Sequence, residues 1–185
     1  MAAALGQNAE MAHDHHDDTR WRRPGIANLH SHAFQRAMAG VAERRGNVDD
    51  SFWTWREAMY RIAARFDPDS LHAVASQLYA EMLEAGYTRV CEFHYLHHAP
   101  DGRPYADPAA MSDALVRAAS DTGIRRTLLP VLYMAGGFDV RALSGRQSRF
   151  GLDVDGYLRL VESLRARENP MLSVGCALHS RGAVP

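Results

Sequence analysis

Four short apolar runs alternate with segments whose apolar residues recur at helical period, and this alternation limits the fold more than any other feature of the chain. Ile26–His30, Thr88–Tyr95, Thr127–Met134 and Leu172–His179 read as strands, each five to eight residues long, and Thr88–Tyr95 is rich in Val, Cys, Phe and Tyr. Asp67-Pro68 opens a helix, with Asp as N-cap and Pro at the first helical position. Leu71, Val74, Ala75, Leu78, Tyr79, Met82 and Leu83 then share one face, and Gly86 ends it. Asp107-Pro108 repeats the opening signal before Met111, Ala114, Leu115, Ala118 and Ala119, with Gly123 as the stop. Tyr157, Leu160, Val161 and Leu164 mark another helix. Phe52, Trp53, Trp55, Arg56, Met59, Tyr60 and Ile62 also fall at helix-like spacing after the polar stretch Gly40–Asp50. Strand–helix alternation means parallel strands joined by right-handed crossovers. An open doubly wound sheet and part of a (β/α)8 barrel both satisfy it. No glycine-rich loop follows the first run, which disfavours a nucleotide-binding sheet.

In either architecture a functional site lies at the carboxyl ends of the strands. The polar residues gather there. His30 and His32 close the first run, two positions apart. Alternate side chains of a strand share a face, so both imidazoles can aim at one point and hold a transition metal. Two imidazoles suit Zn, Fe, Ni or Cu equally. Two polar residues where a strand meets a loop would have the same spelling. The second run ends in Glu92-Phe93-His94-Tyr95-Leu96-His97-His98, and the fourth ends in His179. In that fourth run Ser173, Gly175, Ala177 and His179 should share one face and Leu172, Val174, Cys176 and Leu178 the other. Small residues leading to a histidine suit a crowded barrel interior with one polar group at its mouth.

Composition narrows the partners. The 185 residues carry a net charge of -1, with 46% hydrophobic and 23% charged residues. That fits a globular protein and gives no electrostatic reason to expect nucleic acid or an anionic membrane. No apolar run is long enough to span a bilayer, and residues 1–18 lack a signal-peptide pattern. A cytoplasmic location follows as the expectation. Cys91 and Cys176 each sit in a strand-like run and read as buried, reduced thiols. All 21 basic residues are arginine, so no lysine is present for Schiff-base chemistry. Residues 1–23 read as a disordered tail, and residues 24–185 as the folded part. His13, His15 and His16 among Asp14, Asp17 and Asp18 could hold a second ion, but no apolar periodicity anchors them.

Four motifs then narrow the family: PGIANLHSHAFQRAMAG from Pro24, DSFWTWREAMY from Asp50, EFHYLHH from Glu92 and LPVLY from Leu129. Together they resemble formimidoylglutamate deiminase, of the amidohydrolase superfamily. The resemblance implies an α/β fold, the (β/α)8 barrel of the metal-dependent hydrolases, with one Zn2+ per site. This chain would supply its first half, about four β/α units. It also implies zinc-dependent hydrolysis of N-formimidoyl-L-glutamate to N-formyl-L-glutamate and ammonia, in histidine degradation, by a protein that forms homodimers. His30 and His32 match the strand-one zinc ligands. Gln35, Arg56 and Tyr95 match substrate contacts, and His179 matches a histidine near a substrate carboxylate. A guanidinium such as Arg56 is a fork-shaped partner for a carboxylate, while Gln35 and Tyr95 add neutral hydrogen bonds.

Two departures qualify this. The family's remaining metal ligands and its catalytic residues belong to later strands, so no catalytic residue is expected in this chain. The family's His-Ser-Leu-Arg after strand four reads His179-Ser180-Arg181-Gly182 here. A one-residue shift turns a side chain to the opposite side, so Arg181 takes no substrate role. The competing expectations are another aminohydrolase of the superfamily, acting on a purine or pyrimidine, and a non-catalytic metal-binding fragment. Arg56 weighs against a neutral base, which has no carboxylate to pair with it.

Overall fold

The computed structural model describes residues 24–41 and 52–185. The expected tail, its histidine cluster and most of the polar stretch before the second aromatic motif lie outside these residues. Five strands form one parallel sheet: β1 (Ile26–Ser31), β2 (Tyr87–His94), β3 (Arg125–Leu132), β4 (Leu172–Val174) and β5 (Ala177–Leu178). The order is β1-β2-β3-β4, with β5 also paired to β3. Each strand adds beside the one before it, and the order never reverses. Every right-handed crossover therefore passes on the same side, as in a barrel, whereas a doubly wound sheet needs a switch point.

Four helices make the crossovers: α1 (Phe52–Ala63), α2 (Pro68–Glu84), α3 (Ala110–Thr122) and α4 (Val154–Arg165). The start of α2 follows the sequence closely. Asp67 accepts from the Ser70 amide at 2.8 Å and its own amide donates to the Ser70 hydroxyl, a reciprocal cap. Asp107 does not cap α3 directly. It accepts from the Ala109 amide at 2.9 Å and closes a turn, and the helix begins at Ala110. Gly123 ends α3 at φ 81°, a left-handed position that favours glycine.

The core lies between the sheet and the helices. Val90, Leu128, Leu172 and Val174 meet Leu71, Ala75, Tyr79, Met111, Leu115 and Leu160. The face bearing Phe93, Leu129 and Ser173 is only half-buried or exposed, and its ends line the cavity described below.

The fourth strand departs from expectation. It breaks at Gly175-Cys176, giving β4 and β5, and its alternation changes phase at the break. Leu172 and Val174 are buried as expected, but Cys176 and Leu178 are exposed. The buried hydroxyl of Tyr157 on α4 intervenes there. It accepts from the Ala177 amide at 3.0 Å and donates to the Pro130 carbonyl at 3.2 Å, replacing ladder bonds. A Cβ at Gly175 would sit 2.6 Å from Leu129 Cδ2, so a larger residue there would displace the Leu129 side chain. Both cysteines are free, as expected, but neither is buried: Cys91 is half-buried and Cys176 exposed. Among the described residues no helix is long and apolar enough to cross a membrane.

Candidate metal and carboxylate site

The two histidines converge, by a route the sequence does not announce. Asn28 pairs with Val90 and Ser31 with Glu92, so β1 carries one extra residue between those pairings. This is a bulge immediately before the site. Ser31 ends the strand and is buried, and His32 lies just beyond it at φ -129°, ψ 87°. The His30 and His32 Nε2 atoms stand 3.0 Å apart, with the rings edge to face.

The tautomer of His32 follows from its neighbour. Its Nδ1 lies 3.0 Å from the Phe93 carbonyl, which only accepts, so Nδ1 carries the proton and Nε2 presents a lone pair. A backbone carbonyl holding the distal nitrogen is the usual orientation of a metal-ligating histidine. Burial lowers the pKa of His32 despite the Phe93 bond, which keeps the ring neutral. These two side chains fit a divalent cation as two of its ligands. Among the described residues no group of three or more His, Cys, Asp or Glu side chains gathers to complete such a site.

Glu92 fixes the turn between the histidines and the helices. It is buried, and its Oε1 accepts from the Ala33 amide at 2.6 Å. The Tyr79 hydroxyl donates to Oε2 at 3.3 Å. Burial pushes the Glu92 carboxyl up to about 7, against the pull of its bonds to Ala33, Ser31 and Tyr79. Glu92 therefore pins the short 3-10 segment Ala33–Met38, which carries Gln35, to β2 and α2. The motif EFHYLHH contains it, but an acid facing the helix layer of a strand reads in sequence as a polar interruption.

A cavity of about 780 Å3 opens beside the histidines and brings together every expected site residue: His30, His32, Gln35, Arg56, Tyr95 and His179. Gln35 Nε2 donates to the Tyr95 hydroxyl at 3.0 Å, so these two neutral groups act as one unit. Tyr95 is buried, and its ring meets those of His32 and His179 edge to face. Burial pushes its phenol up and keeps it protonated as a hydrogen-bond donor. His179 lies 4.6 Å from the Tyr133 ring, and burial lowers its pKa to about 4. The Arg56 guanidinium lies over the Tyr60 ring, 5.2 Å from its centroid.

Sequence reasoning missed the wall residues Phe93 and Tyr133. Phe93 packs against both histidine rings, at 5.3 Å from His30 and 5.2 Å from His32. Gln147 donates to the Tyr133 hydroxyl at 3.1 Å. Position was the available signal for Tyr133, because LPVLY ends a strand where His30 and Tyr95 end theirs. Ser180, Gly182 and Ala183 line the cavity, whereas Arg181 does not and is exposed.

No family model matches the chain. Among solved structures it is similar to an amidohydrolase from Brucella melitensis, with 51% identity and a TM-score of 0.79 over 86% of this chain and 36% of that one. Atrazine chlorohydrolase from Arthrobacter aurescens TC1, solved with zinc, is 25% identical with a TM-score of 0.65, over 84% of this chain and 34% of that one. In fold and sequence the chain is thus a relative of the amidohydrolases. More particularly, it is 57% identical over 162 residues to formimidoylglutamate deiminase of Pseudomonas aeruginosa, covering 87% of this chain and 36% of that protein. The resemblance carried by the four motifs is borne out at that identity. The chain spans about a third of the length of the relatives it matches.

Proposed function

We propose that this chain forms the strand-one metal ligands and the carboxylate-binding wall of a zinc-dependent formimidoylglutamate deiminase. The reaction would convert N-formimidoyl-L-glutamate and water to N-formyl-L-glutamate and ammonia, in cytoplasmic histidine degradation. The observation that carries this reading is the 3.0 Å approach of the two Nε2 atoms, with the Phe93 carbonyl fixing the His32 tautomer. The similarity to the Pseudomonas deiminase supports the choice of substrate, and the zinc in the chlorohydrolase structure supports the choice of metal. Bound by His30 and His32, zinc would supply Lewis acidity that lets water act as a nucleophile at neutral pH.

The chain's own residues would bind and orient the substrate. Arg56 offers a planar fork to a carboxylate, and its stacking on Tyr60 limits the positions that fork can take. The Tyr95–Gln35 pair can donate to a polar atom of the substrate from a wall that excludes water. His179, held neutral by burial, can donate or accept without adding charge beside the cation.

Two measurements test the reading. Titration of the 185-residue chain with Co2+ or Zn2+ should show weak binding at one equivalent, because two imidazoles are fewer ligands than a catalytic site uses. His30→Ala or His32→Ala should each abolish it. Binding that survives both substitutions would refute the ligand assignment. For the substrate, N-formyl-L-glutamate should bind and a purine should not; the reverse preference would point to an aminohydrolase acting on a ring.

A further inference from the structure

We infer that Arg141 is a second carboxylate-binding residue of this cavity, set in the wall formed by the loop after β3, and that with Arg56 it selects substrates carrying two carboxylates. This rests on the deiminase reading and names how that site recognises the rest of its substrate. Arg56 reaches the cavity from α1, and Arg141 from the segment Gly136–Arg141. Two guanidiniums would give each carboxylate of a dicarboxylate its own bidentate fork. Among the lining side chains Arg56 and Arg141 are the guanidiniums, since Arg181 lies outside.

The loop is built to hold Arg141 in place. The Gly136 amide donates to the Arg141 carbonyl at 2.8 Å, and the Val140 amide to the Gly137 carbonyl at 3.0 Å. Val140 sits at φ 56°, a conformation that β-branched residues avoid. Such outliers cluster at ligand clamps. The Arg141 side chain folds back over the two glycines. Its Nε donates to the Gly136 carbonyl at 3.2 Å. A Cβ on Gly137 would lie 3.0 Å from both the Arg141 Cζ and Nη2 atoms. The glycine pair therefore leaves the space that the guanidinium occupies. Asp139 also lines the cavity and lies 3.5 Å from Arg141 Nη1. Both side chains face solvent, and an ion pair of that length and exposure is weak. A substrate carboxylate would compete with Asp139 for the same fork.

That competition gives the inference a signed test. Calorimetric titration of the 185-residue chain would compare N-formyl-L-glutamate and glutarate, each with two carboxylates, against 4-formamidobutanoate, which has one. Arg141→Gln should weaken both dicarboxylates by roughly tenfold or more while changing the monocarboxylate little. Asp139→Asn should tighten the dicarboxylates, a gain that a merely structural loop residue would not produce. Thermal melts of each variant check that the fold is intact. Equal loss for all three ligands, no loss, or no dicarboxylate binding by the unaltered chain would overturn the inference. Arg141-dependent binding of glutarate with no preference for N-formyl-L-glutamate would uphold it while removing the deiminase reading.

Discussion

Replacing Arg149 by methionine should lower the unfolding free energy by about 3 kcal/mol or more. Arg149 is buried, and its guanidinium is spent on backbone carbonyls. Nη1 donates to the Ala63 carbonyl, and Nη2 to those of Phe66 at 3.0 Å and His98 at 3.1 Å. Ala63 is the last residue of α1, so the cation sits at the negative end of a helix. The Arg149 carbonyl in turn accepts from the amides of His97 and His98, both at 3.0 Å. One residue thereby ties α1, the end of β2 and the loop before α4 together. Methionine keeps most of the volume and orphans the acceptors, each costing about 1–3 kcal/mol when buried. Removing the burial cost of the cation offsets part of that. Urea unfolding should show a lower midpoint with an unchanged slope. Arg149→Lys should recover only part of the loss, because an ammonium cannot match a planar fork. A change below about 1 kcal/mol in the methionine variant would mean that the guanidinium is not what joins these segments.

Acid should destabilise the chain over a window set by its buried histidines. His97 is buried with Nε2 3.0 Å from the Val131 carbonyl, and burial lowers its pKa from 6.5 to about 4. Burial also lowers the pKa of His94, whose ring meets that of His97 at 5.5 Å. The unfolded chain takes up these protons below pH ~6.5 and the folded chain does not. Stability is therefore fully present above that value and falls as pH drops toward 4, by about 3 kcal/mol for His97 alone. Glu92 acts in the opposite sense. Its folded pKa is raised from 4.5 to about 7, so its contribution is present below 4.5 and lost as pH rises through 7. The imidazoles of His97, His94 and His179, all lowered by burial, oppose one carboxyl across nearly the same range, and the net slope favours neutral pH. Urea midpoints at pH 7.5 and pH 5 should show the fall. Glu92→Gln should steepen it, and His97→Asn should flatten it. A midpoint that rises toward pH 5 in the unaltered chain would reverse the assignment.

Much of the fold was legible because local and global preferences agree. Asp67, Pro68 and Gly86 bound α2 by backbone chemistry that needs no partner element. The strands β1 to β3 have the lengths their apolar runs suggest. Strand four was not legible past Val174, because its break depends on Tyr157 reaching across from α4. Sequence alternation alone gives no account of that hydroxyl. Asp107-Pro108 misled by two residues, since the same side chain can close a turn instead of capping a helix. At the site, the expected residues were legible through motifs and strand ends, and the cavity gathers all six. Glu92 and Arg141 were not. One works through a backbone amide of the 3-10 segment that follows β1, and the other comes from a loop with no periodicity to mark it.

The bulge in β1 has a consequence for how this stretch can vary. Asn28 is fixed by its pairing with Val90, and Ala33 by its bond to Glu92. Leu29, between them, is 74% exposed. Many side chains could stand there without disturbing either anchor. A single-codon deletion at the same place would let both pairings close as a regular ladder, but it would erase the bulge that sets where the His30 imidazole stands beside His32. The segment is permissive in spelling and strict in length.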